Sequence, residues 1–225
     1  MQFQIPLPFT THHDYNFSNF IADDNQLIIQ ALKNQHEAFV FLWGDTGTGK
    51  THLLQAACQQ QTIMGGTASY LPLKDLQQLS PKLLDGMEFV DLVCIDDIDI
   101  IKQNPAWEEA LFNLFNNLRQ QNGRLIISSQ NAPQRLPLAL NDLKSRLNNG
   151  LALNIQPLND EATIQALQTH AQSLGLDLND EVAHYILSHY PRDLPSLWRL
   201  IDKLDKISLA THKKLTIPFV KSTFA

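Results

Sequence analysis

The stretch Gly44-Asp45-Thr46-Gly47-Thr48-Gly49-Lys50-Thr51 constrains this chain more than any other. It satisfies G-x-x-x-x-G-K-[ST] at every fixed position. Ahead of it lies the apolar run Ala38-Phe39-Val40-Phe41-Leu42-Trp43, which reads as a buried parallel strand. Behind it, His52-Leu53-Leu54-Gln55-Ala56-Ala57 contains no Gly or Pro and favours a helix. Strand, glycine-rich turn and helix together make a phosphate-binding loop. The glycines let backbone N–H groups turn inward around an anion with no Cβ in the way. A helix starting near Lys50 adds the positive end of its dipole. Lys50 would reach the β- and γ-phosphates, and the Thr51 hydroxyl would ligate Mg²⁺. The expected cofactors are therefore ATP or ADP, with Mg²⁺.

A second marker follows downstream. Asp91-Leu92-Val93-Cys94-Ile95-Asp96-Asp97-Ile98 is an apolar run closed by two carboxylates. A buried strand that delivers an acid at its C-terminal end suits the Mg²⁺ shell of a phosphate-binding loop. Asp96 is the expected metal ligand, and Asp97 stands where a carboxylate orients an attacking water. Arg124-Leu125-Ile126-Ile127-Ser128-Ser129-Gln130-Asn131 reads as a further strand with a polar tip, where Gln130 is expected near the γ-phosphate or the water.

Composition narrows the class. With 225 residues and 44% hydrophobic content, the chain can bury the core of one α/β domain and a small second one. No apolar run reaches membrane-spanning length, and the N-terminus has no secretory pattern, so a cytoplasmic protein is expected. Cys58 and Cys94 sit in an expected helix and an expected buried strand, and read as small core residues rather than as a disulfide or metal site. The formal charge of −6, from 17 basic and 23 acidic side chains, argues against DNA as the main ligand.

The remaining segments frame that centre. Residues 1–14 form an extended, Pro-bearing arm, either packed on its own domain or offered as a short peptide to a partner groove. Asp23-Asp24-Asn25 reads as an N-cap cluster for a helix over Gln26–Asn34. Phe20 and Ile21, just ahead of it, either sandwich a base or pack in the core. Residues 15–158 form the nucleotide-binding unit, with a helix over Trp107–Gln121, a short one over Leu138–Leu147 and a last strand at 151–155. From 159 to 225 the chain reads helical, over Glu161–Leu174, Asp180–His189 and Leu194–Leu209, capped by Asn159-Asp160 and Asn179-Asp180. Arg146 ends a helix before the last strand, and Arg192 begins one after Pro191. Each is either a solvated surface group or a neutraliser of phosphate charge.

Residues Gly44–Ala56 with their Lys-Thr-His-Leu-Leu run, Ile95-Asp96-Asp97-Ile98 and Ser145-Arg146-Leu147 resemble an AAA+ ATPase of the DnaA clade. Tyr15–Ile21 is similar to the segment beside the adenine pocket there, and the likeness runs from Tyr15 to Leu209. Both ends resemble the regulatory inactivators within that clade. Gln2-Phe3-Gln4-Ile5-Pro6-Leu7 is similar to their sliding-clamp-binding peptide, and Lys214-Leu215-Thr216-Ile217-Pro218-Phe219-Val220-Lys221 to their closing segment.

The resemblance implies a five-stranded parallel sheet of order 5-1-4-3-2 sandwiched by helices, with a C-terminal helical lid and the nucleotide between base and lid. It makes Gly44–Thr51 the Walker A motif, so that Gly44, Thr46, Gly47, Thr48, Gly49, Lys50, Thr51 and His52 bind nucleotide beside Phe20 and Ile21. Asp96 and Asp97 become the Walker B acids, Arg192 sensor 2, and Arg146 the arginine finger on a partner's nucleotide. Gln2, Phe3, Ile5, Pro6 and Leu7 become contacts to the sliding clamp, the beta subunit of DNA polymerase III. Phe3 stands where Leu is common in such peptides, and Gln130 replaces the acid expected at sensor 1.

The function so implied is negative regulation of replication initiation. With the DNA-loaded clamp, such a protein stimulates hydrolysis of DnaA-bound ATP and leaves ADP-DnaA. AAA+ interfaces add the expectation of a homodimer or larger homo-oligomer. The alternative is a loader-like or initiator-like ATPase acting on DNA. Against it stand the net charge and the expectation that no helix-turn-helix domain follows the lid.

Overall fold

The computed structural model describes residues 15–76, 78–211 and 213–224. The five clamp-contact residues expected at the N-terminus lie outside them. The chain divides into two compact units, a larger one ending at Gln156 and a smaller one that runs from Pro157 onward and takes in Thr46–Thr48.

The larger unit is built on five strands: β1 (Phe39–Trp43), β2 (Ala68–Pro72), β3 (Leu92–Asp96), β4 (Arg124–Ser129) and β5 (Leu151–Asn154). All pairings are parallel, in the order β2-β3-β4-β1-β5. This is the expected 5-1-4-3-2 arrangement. The near-continuous apolar runs of β1, β3 and β4 follow from burial on both faces. Phe39, Phe41, Val93, Ile95, Leu125 and Ile127 face one side, where they meet α4 (Pro105–Gln120) and α5 (Asn141–Asn148). Val40, Leu42, Leu92, Cys94 and Ile126 face the other, against α1 (Gln26–Asn34) and α2 (Lys50–Ile63). The period-2 alternation of side chains thus divides one apolar sequence between two cores. A four-residue helix, α3 (Leu73–Leu76), leaves the end of β2.

Local reading fails at one helix start. Asp23–Asn25 form a 3₁₀ turn, and Asn25, at the N-cap position of α1, gives that helix no side-chain bond. Asn25 is instead buried and pairs with the backbone of Gln156, donating from Nδ2 to its carbonyl at 3.0 Å and accepting its N–H at 2.8 Å. A carboxamide matches a peptide group with one donor and one acceptor, so this distant partner replaces the local cap.

Arg124 is also buried, although it opens a strand. Its guanidinium donates to the carbonyls of Leu32 at 2.9 Å, Ala31 at 3.3 Å and Glu37 at 3.0 Å. It thereby satisfies the C-terminal end of α1, whose last carbonyls have no partner in their own helix. Arg124→Met is expected to lower unfolding free energy by about 2–3 kcal/mol, because buried carbonyls lose a charged donor that an apolar side chain cannot replace. Urea denaturation, with the midpoint falling at unchanged slope, checks this.

The smaller unit consists of α6 (Asp160–Ser173), α7 (Asp180–His189), α8 (Leu194–Thr211) and α9 (Ile217–Phe224). Asn159 and Asn179 cap α6 and α7 as expected, each accepting an N–H three residues on, at 2.8 and 2.9 Å. Leu167, Val182, Ile186, Leu197, Ile201 and Leu204 form the centre of its core, and α9 adds Phe219 and Val220. The sequence reading has no helix at α9. Pro218 sits in its first turn, where a missing N–H does no harm. Arg192 does not begin a helix, because α8 starts at Leu194 and is capped by Asp193, whose Oδ1 accepts the Ser196 N–H at 2.9 Å. Among the described residues no helix is long and apolar enough to cross a membrane.

Candidate functional site

The loop after β1 is shaped by its glycines. Gly47 and Gly49 have φ of 85° and 92°, a region that side chains disfavour. A Cβ on Gly49 would also stand 2.6 Å from the Phe20 ring. Gly49 is the N-cap of α2 and offers no side-chain bond, so the first-turn N–H groups of a 14-residue helix face the loop without a side-chain cap. That is an anion cradle made of backbone.

Lys50 lies at the base of this cradle, only 6% exposed. Its ammonium donates to the carbonyls of Gly44 and Asp45, both at 2.8 Å. Burial pulls its pKa down, and the charges of Asp97, Asp96 and Asp99 oppose that pull.

Asp96, at the end of β3, collects three hydroxyls. Thr51 Oγ1 donates to its Oδ2 at 2.7 Å and Tyr70 Oη to the same oxygen at 2.8 Å, while Ser128 Oγ donates to Oδ1. Ser128 Oγ in turn accepts the Asp97 N–H at 2.9 Å. Asp97 has a left-handed φ of 59°, and burial, followed by the neighbouring Asp96 charge, raises its pKa. The Tyr70 phenol is likewise pushed up by burial and by Asp96.

Thr51 and Asp96 present two oxygens at one point. Among the described residues no group of three His, Cys, Asp or Glu forms a metal cage. Mg²⁺ commonly takes one or two protein oxygens and completes its shell with phosphate and water, so the donor set fits the metal of a nucleotide complex.

Three members of this network were missing from the sequence reading: Tyr70, Ser128 and Asp99. Asp99 accepts from Ser129 Oγ at 3.1 Å, the Gln130 N–H at 2.8 Å and Asn131 Nδ2 at 3.0 Å. The signal available was the Ser128-Ser129 pair in an otherwise apolar strand, and a third acid two residues past Asp97. Gln130 itself is exposed and bonds Asp99 through its backbone, while Ser128 and Ser129 bond the Asp97 N–H and Asp99 through their side chains.

His52 gathers the entry segment onto α2. Its Nε2 is 2.8 Å from the Asn16 carbonyl, Tyr15 stacks on it at 4.5 Å, and Phe20 meets it edge-on at 5.2 Å. Burial lowers its pKa. Phe20 also packs against the α1–α2 core, and Ile21 beside it is half-buried. Of the two expected base contacts, Phe20 lies against Gly49 of the loop, and Ile21 follows it in the chain.

Arg146 lies elsewhere. It is half-buried and lines a cleft of about 410 Å³ with Glu37, Phe39, Phe115, Leu118 and Arg119. These residues gather at the N-terminal edge of the sheet, whereas Gly44–Thr51, Asp96 and Ser128 lie at the C-terminal edge. Among the described residues the Arg146 guanidinium has no hydrogen bond or ion pair. Arg192, in the smaller unit, forms an exposed ion pair with Asp160 at 2.8 Å and donates to the Leu187 carbonyl at 3.4 Å. An exposed pair of this kind adds little stability.

Two family models match the chain. The one described as the bacterial DnaA ATPase domain covers 73–154, and the one described as the Hda lid domain covers 160–224. Among solved structures, domain III of the Thermotoga maritima replication initiation protein DnaA aligns with a TM-score of 0.85 at 23% identity, over 96% of this chain and 98% of that one. Aquifex aeolicus DnaA bound to AMPPCP aligns with a TM-score of 0.73 at 26% identity, over 88% of this chain and 66% of that one. The replication initiator DnaA bound to AMPPCP and single-stranded DNA aligns with a TM-score of 0.71 at 26% identity, over 88% and 65%. The chain thus spans about two thirds of the length of those two proteins. The sheet order, the helical second unit and the two adjoining family matches agree, and the chain belongs to the Hda/DnaA-related AAA+ family, as a DnaA-related regulator of replication initiation.

Proposed function

We propose that this protein binds ADP or ATP at Gly44–Thr51 and uses Arg146 to stimulate hydrolysis of ATP held by DnaA. The observation that carries the reading is the position of Arg146. It stands unpaired among the described residues, at the opposite edge of the sheet from this chain's own loop. A cation so placed serves a phosphate brought by another subunit.

Each residue then has a task. The loop amides and Lys50 hold the phosphates, and Thr51 with Asp96 would hold Mg²⁺, which neutralises phosphate charge when bound. Ser128 and Tyr70 fix the Asp96 carboxylate. Asp97, raised in pKa and beside Asp96, would accept a proton from water in any turnover by this chain itself. Phe20, Ile21 and His52 would border the base, and Arg192, which resembles sensor 2, would neutralise phosphate charge. In trans, the Arg146 guanidinium would stabilise charge on the transferring phosphoryl group, an effect worth roughly 10³–10⁵ in rate in other NTPases. Gln2, Phe3, Ile5, Pro6 and Leu7 would tether the protein to the DNA-loaded sliding clamp in the cytoplasm, which raises its effective concentration near DnaA.

The test is ATP hydrolysis by DnaA with this protein added, with and without clamp loaded on DNA. Hydrolysis is expected to rise only with the loaded clamp, and to fall back when Gln2 and Phe3 are replaced by Ala. If this protein turns over ATP alone and DnaA is unaffected, the loader reading replaces this one.

A further inference from the structure

The helix that carries Arg146 starts without a cap of its own. The N-cap position of α5 is Leu140, which has no polar atom to offer, and no side-chain cap bond forms there. The acceptor comes from α4. Glu108 is fully buried, and its Oε2 accepts the Ala139 N–H at 2.8 Å and the Leu140 N–H at 2.7 Å. Its other oxygen, Oε1, is buried and has no hydrogen-bond partner among the described residues.

A buried carboxylate with one oxygen unsatisfied is a poor way to gain stability, because desolvation of the charge opposes whatever its bonds return. It is an effective way to fix geometry. Two consecutive N–H groups converge on one oxygen, and the negative charge lies at the positive end of the α5 dipole. Leu143 and Leu147 anchor one face of the same helix in the core. With its start held by Glu108 and its face by two leucines, an eight-residue helix keeps one register. That register delivers Arg146, in the last turn, to the cleft.

We infer that Glu108 is a positioning residue for Arg146, setting the orientation of α5 from the neighbouring helix. The inference rests on Arg146 acting on a partner's nucleotide, and its test separates the two claims. Glu108→Ala, Glu108→Gln and Arg146→Ala are compared in the clamp-dependent hydrolysis assay, and amide exchange over 137–149 is followed in each full-length protein. Glu108→Ala is expected to lower the maximal stimulated rate by roughly 10–100-fold, since small misplacements of a catalytic group have effects of that size. The concentration giving half-maximal stimulation should stay unchanged, because the docking surface is intact. Exchange in α5 should rise about tenfold or more while the strands keep their protection. Glu108→Gln keeps an acceptor oxygen at the same volume, so it should fold if the Ala variant does not, and should retain most of the rate. A wild-type rate and wild-type α5 exchange in Glu108→Ala overturn the inference. If Arg146→Ala leaves stimulation intact, the finger reading falls. Exchange alone then decides: a rise confined to α5 upholds Glu108 as its anchor, and no rise removes it.

Discussion

Arg146→Ala should leave DnaA with its basal hydrolysis rate even at saturating loaded clamp. The expected loss is on the order of 10³-fold in stimulated rate, the lower end of what an arginine supplied in trans contributes. Binding to the clamp should not change, because the tethering segment is remote in sequence and in role. Nor should the fold: Arg146 is half-buried and makes no hydrogen bond or ion pair among the described residues, so its removal strands no partner. Arg146→Lys should recover little, because an ammonium lacks the planar fork that spans two phosphoryl oxygens. Steady-state phosphate release reads the rates of both variants, thermal unfolding checks the fold, and a binding titration against the clamp checks the tether. Full stimulation by a well-folded Arg146→Ala protein would remove Arg146 from the mechanism.

The second large effect is expected at Lys50. Lys50→Ala should weaken binding of a fluorescent adenine nucleotide by about 10²-fold or more, about 2.7 kcal/mol. The loss has two parts. The phosphate loses its only buried cation among the described loop residues, and Asp96, Asp97 and Asp99 lose the positive charge that faces them. A phosphate would then enter a pocket whose remaining charges repel it. Lys50→Arg should not restore affinity, because the ammonium sits where two carbonyls 2.8 Å away admit a compact group. Titration by fluorescence anisotropy separates this outcome from unaltered binding, which would move the nucleotide site away from the loop.

The two predictions rest on parts of the molecule that the sequence exposes to different degrees. Lys50, Thr51 and Asp96 were legible because a phosphate cradle is local. Eight consecutive residues carry its backbone geometry, and an apolar run ending in an acid announces the other half. The network around Asp96 was not legible. Tyr70 and Ser128 are 26 and 32 positions from it, and only strand pairing brings their hydroxyls to the carboxylate. Gln130 reads as the polar tip of β4; the structure adds Ser128, bonded to Asp96 and the Asp97 N–H, and Ser129, bonded to Asp99.

Helices of nine residues or more followed their apolar spacing, and α1 and α7 have the bounds their spacing and flanking residues indicate. Helix ends followed it less well. Asn25 looked like a cap and became the bridge to Gln156, Arg192 lay outside the helix it was expected to start, and α9 formed across a proline. Asn25 was claimed by a distant peptide group, Asp193 capped α8 in place of Arg192, and a proline in the first turn costs α9 no hydrogen bond.

What the sequence determined by itself was the class of fold and where its polar groups gather: a glycine-rich loop after a strand, a strand-borne acid, and near-continuous apolar strands that demand a parallel sheet covered on both faces. Tertiary structure alone decided which groups cooperate. It placed Arg146 and the Gly44–Thr51 loop at opposite edges of one sheet, seated Arg124 on the end of α1, and let Glu108 hold a helix that begins 33 positions later. Periodicity is a property of neighbours along the chain, whereas a buried polar group must find its partner wherever packing brings one within 3 Å.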